Sequence, residues 1–502
     1  MTTALHHIVN GQALAGSSGR VAQVYDPAAG IVTKTCPLAS AEEVDQAVTV
    51  AGDAGRKWGK ASQKTRREVI FRMRELVNRD ANALAEAVST EHGKNHRDAM
   101  GEVGRALETL EYAACAGELT KGEFSVNIGG DIDNFSVRFP VGVVGCIVPF
   151  NFPLLVPLLT SAMAVACGNS IIMKPSEKVP SAALRLAELW KEAGLPDGVW
   201  NVVHGDKEAV DAMLNHPDIA AISFVGSSAV GDYVYNSASR NKKRVACFNA
   251  GKNHMVVMPD ADLDFVADSF ISGAYGDASQ RCMAVSVLVP VEEKTGDQLV
   301  DRISQKAAAL SPGHYADPNA SFGPVITAQS KRSIEAAIEA GLSHGGTLRN
   351  DGRGQNVEGF ENGFFLGATL MDHVGVDSPY YQEEIFGPAR AVVRAGSLGE
   401  SIAMINAHQY GNGASIFTQD GGAAREFYEN VETGGVGINV PIPACSASHN
   451  FGGLKNSRYG EAFLYGPDSA RFFTKEKTVS SRWNFSDSTD IFVTMYSGKD
   501  KN

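Results

Sequence analysis

From Ser170 onward the chain alternates short apolar runs with amphipathic stretches, and this rhythm restricts its fold more than any other feature. Ser170–Lys174 reads as a buried strand and Ala182–Ala193 as a helix stopped by Gly194 and Pro196. Val199–Val203 reads as the next strand, Lys207–Leu214 as a short helix and Ile219–Val225 as a third strand. Gly226-Ser-Ser-Ala-Val-Gly231 opens another helix, and Arg244–Phe248 supplies a fourth strand. Strands that alternate with helices form a parallel sheet with helices on its faces. The expected class is α/β, a doubly wound parallel sheet with ligands at the carboxyl ends of its strands. That architecture suits a nucleotide, although a fold does not choose its ligand.

The second half repeats the rhythm, with strands expected at Met255–Met258 and Ser286–Val291 and helices at Gly296–Leu310 and Ser330–Ala340. A second α/β domain is therefore expected from about Asn253 to about Pro443. Ahead of the first sheet, Ala39–Leu119 has helical spacing, as in Arg67–Leu76 and Val103–Ala114. The tail from Tyr465 to Trp483 reads as strands at Ala470–Phe473 and Thr478–Ser481, which suits pairing with another subunit. A length of 502 residues exceeds one ordinary core and implies two or three domains.

A formal charge of −12 argues against general affinity for nucleic acid or anionic membranes. The apolar region from Val141 to Met173 contains Pro149, Pro153, Pro157 and Gly168, so it reads as strand, turn, helix and strand rather than a membrane span. Met1 to Gln12 lacks the basic stretch and apolar run of a signal peptide. Seven cysteines are scattered without a CxxC pair, which predicts a reducing cytoplasm, no disulfide frame and no metal site.

Five segments carry possible chemistry, and each also has a plain structural reading. Gly226–Gly231 would let backbone N–H groups meet a phosphate at a helix start, or would simply be a strand–helix turn. Lys174-Pro-Ser-Glu177 would bond ribose hydroxyls, Glu177 disfavouring an extra phosphate, or would only precede a helix. In Pro149-Phe-Asn-Phe-Pro153, the Asn151 amide would face an oxyanion or stabilise a turn. Cys282 stands beside Arg281, and a cation raises the thiolate fraction, yet most cysteines are inert and buried. Glu383-Glu-Ile-Phe-Gly-Pro388 would hold a ribose, with Phe386 near a nicotinamide, or be a solvated acidic turn.

Taken in order, Pro149–Pro153, Met173–Glu177, Phe224–Ser228, Gln280–Cys282 and Glu384–Pro388 resemble the aldehyde dehydrogenase superfamily along nearly the whole chain. The resemblance implies Cys282 as nucleophile and Asn151 as oxyanion donor, helped by the Cys282 backbone N–H. It implies NAD as cofactor, held by Lys174, Glu177, Gly226, Ser227, Gly231, Glu384, Phe386 and Phe150. It also implies an NAD-binding domain from residues 1–122 and 142–252, a catalytic domain at 253–443, and a small β oligomerisation element with tail at 123–141 and 464–502. A homodimer or homotetramer is expected.

Lys252–Leu263, Arg281–Ser286, Gly437–Pro443 and Lys475–Val479 are similar to the methylmalonate-semialdehyde dehydrogenases, a branch that acylates coenzyme A. By that resemblance Arg105 and Arg281 grip a substrate carboxylate, a task suited to planar guanidinium groups. The plain reading of Arg105 is a helix-surface pair with Glu102 or Glu108. Hydrolytic members carry a glutamate where Phe248 aligns, and Phe248 cannot activate water. A thiol acceptor depends less on a base, which favours coenzyme A. The implied reaction oxidises a (methyl)malonate-semialdehyde-type aldehyde, loses CO₂ from the thioester and yields acetyl- or propionyl-CoA. A hydrolytic NAD-dependent dehydrogenase, an acylating enzyme for another aldehyde and an inactive binding or structural protein are the alternatives. Departures from the branch fall at Cys247–Ala250, Ala444–His449 and Ser486–Asn502, the second of them bearing on the aldehyde pocket.

Overall fold

A computed structural model describes residues 2–129, 131–443 and 446–483. Ala444, Cys445 and the Ser486–Asn502 tail therefore lie outside the described residues.

Val143–Ile147 and Ser170–Lys174 are buried at every position, as strands covered on both faces must be. They sit at the centre of a parallel array ordered Arg244–Phe248, Ile219–Val225, Val143–Ile147, Ser170–Lys174, Trp200–Val202. Antiparallel strands close both edges, Arg458–Tyr459 on one side and His7–Val9 with Gln12–Leu14 on the other. The chain runs outward from Val143–Ile147 to Trp200–Val202, then returns to the far side of Val143–Ile147 as Ile219–Val225. The strand order thus reverses between these two strands, and a reversal of this kind leaves a ligand crevice beyond their carboxyl ends. The Pro149–Pro153 segment and Gly226 follow those two ends directly.

Helices cover this sheet as their apolar spacing predicts. Ala41–Trp58 starts in a capping box, where Ser40 accepts from the Glu43 N–H and Glu43 accepts from the Ser40 N–H. Leu155–Ala166 tolerates Pro157 because the first turn has no use for that N–H. The apolar region from Val141 is accordingly strand, turn, helix and strand. Among the described residues no helix is long and apolar enough to cross a membrane.

The second sheet orders Thr347–Asn350, Thr369–Asp372, Ala389–Val392, Val285–Pro290, Asn253–Val257, Gly413–Phe417 and Gly435–Ile438. It is parallel except for its first strand, and it packs a separate apolar core.

The tail corrects one expectation. Ala470–Phe472 is not a strand but the end of a helix, Pro467–Phe472, with Pro467 at its first position. Proline preorganises φ there and gives up an N–H that would be orphaned anyway. The strand that follows, Thr474–Ser481, pairs antiparallel over its whole length with Asp133–Pro140 of its own chain. Phe124–Ser125 completes that three-stranded sheet, which leaves the outer edge of Thr474–Ser481 without a strand among the described residues.

Candidate active site

A cavity of about 450 Å³ gathers side chains from both sheets' surroundings, including Cys282, Arg281, Arg105, Phe152, Phe248 and Tyr465. Cys282 is half-buried there. Burial pushes the Cys146 thiol up to about 11 and the Cys167 thiol up to about 12, and those of Cys36 and Cys247 further still. These are inert small hydrophobes. Among the described cysteines only Cys282 lines the cavity.

The approach to Cys282 is unusual. Asp277, Ala278 and Ser279 stand consecutively in the left-handed region, with φ of 58°, 48° and 64°. Each such residue other than glycine costs about 1–3 kcal/mol and persists only where its surroundings over-determine it. The surroundings do so here. Gln280 donates from Nε2 to the Pro324 carbonyl at 3.2 Å and accepts from the Ile326 N–H at 2.9 Å. The Cys282 carbonyl accepts from Asn253 Nδ2 and Asn412 Nδ2, both at 2.9 Å. Gly276 lets the Arg281 guanidinium pack against the backbone, since a Cβ there would lie 2.7 Å from it and push it aside.

Beneath this segment lies a buried ionic cluster that sequence reasoning missed. Lys94 Nζ lies 3.0 Å from Glu102 Oε2 and 3.2 Å from Asp277 Oδ2, and donates to the Asn151 carbonyl at 2.7 Å. Burial opposes the ammonium, but the Asp277 and Glu102 carboxylates outweigh it and hold Lys94 above its ordinary pKa. Glu102 Oε1 also accepts from the N–H groups of Leu154 and Leu155, at the start of the helix that follows Asn151. Asn151 itself is 4% exposed, and among the described residues its side-chain amide makes no hydrogen bond. Neighbouring His92 is fully buried, and desolvation holds it far below its ordinary pKa and therefore neutral.

The two arginines come together at the cavity. Arg281 Nη2 bonds Asp98 Oδ1 at 3.0 Å. Arg105 pairs with Glu108 at 2.8 Å, the ordinary helix pair, and also reaches the Tyr465 hydroxyl at 3.4 Å. Glu102 is not its partner, being engaged by Lys94. Phe248 is buried, lines the same cavity and meets Phe451 edge-on at 6.0 Å.

The residues expected at a cofactor fall at strand ends, a helix start and the turn after Pro379–Gln382. Ser227 caps Ser228–Arg240 without a side-chain bond across the cap, so the first-turn N–H groups have no side-chain partner there. Gly226 donates its N–H to the Phe248 carbonyl at 3.0 Å, and a Cβ on it would press 2.6 Å from the Phe224 ring. Gly231 lies inside the helix, where a Cβ would be 1.9 Å from Asn249 Oδ1, so the space it leaves is filled by that side chain. Lys174, buried at the end of its strand, donates to the Gly205 carbonyl at 3.1 Å and stands 3.8 Å from Glu177. Desolvation lowers its pKa against the pull of Glu177. Glu384 accepts from the Gly251 N–H at 2.8 Å, and burial pushes its carboxyl up to about 7. Phe386, at φ 55°, meets Phe150 edge-on at 5.7 Å, and Phe150 stacks on His92 at 5.8 Å.

Residues 14–479 match the Aldehyde dehydrogenase family. The chain belongs to that family. It is 45% identical over 479 residues to malonate-semialdehyde dehydrogenase of Pseudomonas aeruginosa, covering 95% of this chain and 96% of the relative. The malonate-semialdehyde dehydrogenase of Halalkalibacterium halodurans is 42% identical, covering 95% of this chain and 98% of its own. Two solved structures superpose closely. A putative methylmalonate-semialdehyde dehydrogenase from Sinorhizobium meliloti, complexed with NAD, gives a TM-score of 0.96 at 46% identity, covering 97% of this chain and 99% of that one. Methylmalonate-semialdehyde dehydrogenase from Oceanimonas doudoroffii gives 0.95 at 46% identity, with the same coverage. The aldehyde dehydrogenase fold expected from the motifs, with its α/β sheets, is therefore the fold of this chain.

Proposed function

We propose that the chain oxidises malonate semialdehyde or its methyl homologue through a thioester on Cys282, with NAD as cofactor and coenzyme A as acyl acceptor. The observation that carries this reading is one cavity lined by Cys282, Arg105, Arg281 and Phe248 together. The names of the similar proteins and the NAD in one of their structures support it.

In this reading Arg105 and Arg281 take the substrate carboxylate, which places the aldehyde carbon beside Cys282. The thiolate adds to the carbonyl carbon, and the Asn151 amide with the Cys282 N–H receives the oxyanion. NAD, when bound, accepts the hydride as the tetrahedral adduct collapses to the thioester. Lys174 and Glu177 would hold the adenosine ribose, Gly226 and Ser227 the pyrophosphate, Glu384 the nicotinamide ribose, with Phe150 and Phe386 beside the ring. Gly231 would serve only to seat the helix. The β-carboxylate of the thioester leaves as CO₂, and the same oxyanion donors stabilise the resulting enolate before it is protonated.

Deacylation is where coenzyme A enters. The carboxylates lining the cavity, Asp98, Glu102 and Asp277, each face a cation, Arg281 or Lys94. Phe248 supplies no base and, among the described residues, the carboxylates lining the cavity are each paired with a cation, which leaves water poorly activated while a partly ionised thiol does not need a base. Residues 1–122 with 142–252 would bind NAD and 253–443 would carry catalysis. The exposed edge of Thr474–Ser481 would pair within a homodimer or homotetramer in the cytoplasm.

The test follows NADH formation from malonate semialdehyde and methylmalonate semialdehyde, with and without coenzyme A, alongside propanal. The expected result is a single burst without coenzyme A and sustained turnover with it, yielding acetyl- or propionyl-CoA. Steady turnover without coenzyme A would establish the hydrolytic reading instead. Faster oxidation of propanal would make the enzyme an acylating dehydrogenase of another aldehyde.

A further inference from the structure

The ionic cluster under the cavity joins two segments that lie far apart in the chain. Lys94 donates to the carbonyl of Asn151 at 2.7 Å and lies 3.2 Å from Asp277, the first of the three left-handed residues leading to Cys282. Its third partner, Glu102, receives the N–H groups that open the helix after Asn151. All three charged side chains are at most 2% exposed. A buried ion pair is a poor source of stability, because desolvation offsets attraction, so a structural gain does not by itself account for it. This one spans the two segments whose relative placement the chemistry needs, at a site where an ångström matters.

We propose that Lys94 and Asp277 are positioning residues whose ion pair fixes the Asn151 segment and the strained Cys282 segment in mutual register. The ammonium holds the Asn151 backbone, so the amide is free to face the oxyanion. Its pull on Asp277 sustains the left-handed turn that sets where the thiol points. The proposal rests on the roles assigned above to Cys282 and Asn151.

Removing Lys94 would leave two carboxylates buried and unpaired, and such a variant is prone to unfold. Asp277→Asn is the better probe, because it keeps the Lys94–Glu102 pair and removes the charge that Lys94 attracts on the Cys282 segment, along with its weaker pull on Arg281 and its approach to His92. The assay is the rate of the pre-steady-state NADH burst with malonate semialdehyde, for the full chain, Asp277→Asn, Asn151→Ala, the double variant and Cys282→Ala, with thermal melting to confirm folding. Asp277→Asn should slow the burst by about tenfold while KM changes little, and should slow it by less than about twofold in the Asn151→Ala background, since contacting groups in one network couple non-additively. A folded Asp277→Asn enzyme with an unchanged burst would overturn the proposal. So would an equal slowing in both backgrounds, which would mean that the tether does not act through Asn151. A burst that survives in Cys282→Ala would instead overturn the assignment of the nucleophile and the proposal with it.

Discussion

Replacing Arg281 by glutamine should separate substrates that carry a carboxylate from those that do not. The magnitude follows from the surroundings of Arg281. Its side chain is 24% exposed and already bonded to Asp98 at 3.0 Å, so it is partly withdrawn from water before substrate arrives. Two unit charges about 4 Å apart at an effective dielectric of about 20 attract by about 4 kcal/mol. Asp98 claims part of that attraction in the free enzyme, so the substrate gains only the difference. A net value in the range of a hydrogen bond to a charged group, about 1.5–3 kcal/mol, is the reasonable expectation. It corresponds to a fall of about 10- to 150-fold in kcat/KM. Glutamine keeps a donor for Asp98, which limits the damage to the Cys282 segment. Propanal has no carboxylate, and its kcat/KM should change by less than about twofold if Arg281 acts on charge alone. Steady-state NADH assays with malonate semialdehyde and propanal, in the presence of coenzyme A, measure both values. An equal fall for the two substrates would refute the reasoning, because it would mean that Arg281 serves the placement of the adjacent thiol.

Asn151→Ala should reduce the burst rate by about 10²–10³ with little effect on melting temperature, as expected when one of two oxyanion donors is removed. Stopped-flow NADH absorbance measures it, and an unchanged burst would remove Asn151 from the mechanism. Gly231→Ala would drive a methyl to 1.9 Å from Asn249 and should destabilise the protein by about 1–3 kcal/mol in a denaturant titration. Because burial pushes Glu384 up to about 7, the carboxyl is largely protonated below that pH and ionised above it, where the proposed ribose contact would gain a full acceptor. NAD affinity, followed by fluorescence titration, should therefore tighten as pH rises through about 7, and Glu384→Gln should flatten the slope. An identical slope in that variant would assign the titration to another group.

The elements were legible where one physical signal dominated. Ser170–Lys174, Ile219–Val225 and Arg244–Phe248 occur at their expected bounds. Ser170–Lys174 and Ile219–Val225 are apolar runs bounded by proline or glycine, and a run of that kind has few alternatives once helices cover both faces. Ala470–Phe473 is expected as a strand yet ends a helix, because a short apolar run fits both and the deciding signal is Pro467 at a helix start. The sequence offers Gly231 a place in a phosphate-binding turn or a plain strand–helix turn, whereas packing shows it lying inside the helix with Asn249 against it.

By itself the sequence determined the alternation that makes two parallel sheets, the ordered motifs that place the chain in its family, and the identity of Cys282 and Asn151 as the groups worth testing. Local spacing is enough for the alternation, since it involves residues a few positions apart, whereas Cys282 and Asn151 stand out only through the resemblance that the ordered motifs carry. Tertiary structure alone decided which cysteine faces a cavity, that Arg281 is engaged by Asp98, and that Lys94, Glu102 and Asp277 share one buried site. It also decided that Asn253 and Asn412 hold the Cys282 carbonyl. Each of these joins residues distant in the chain through burial. Burial makes an unpaired charge or carbonyl costly, and so selects its partner by position in space.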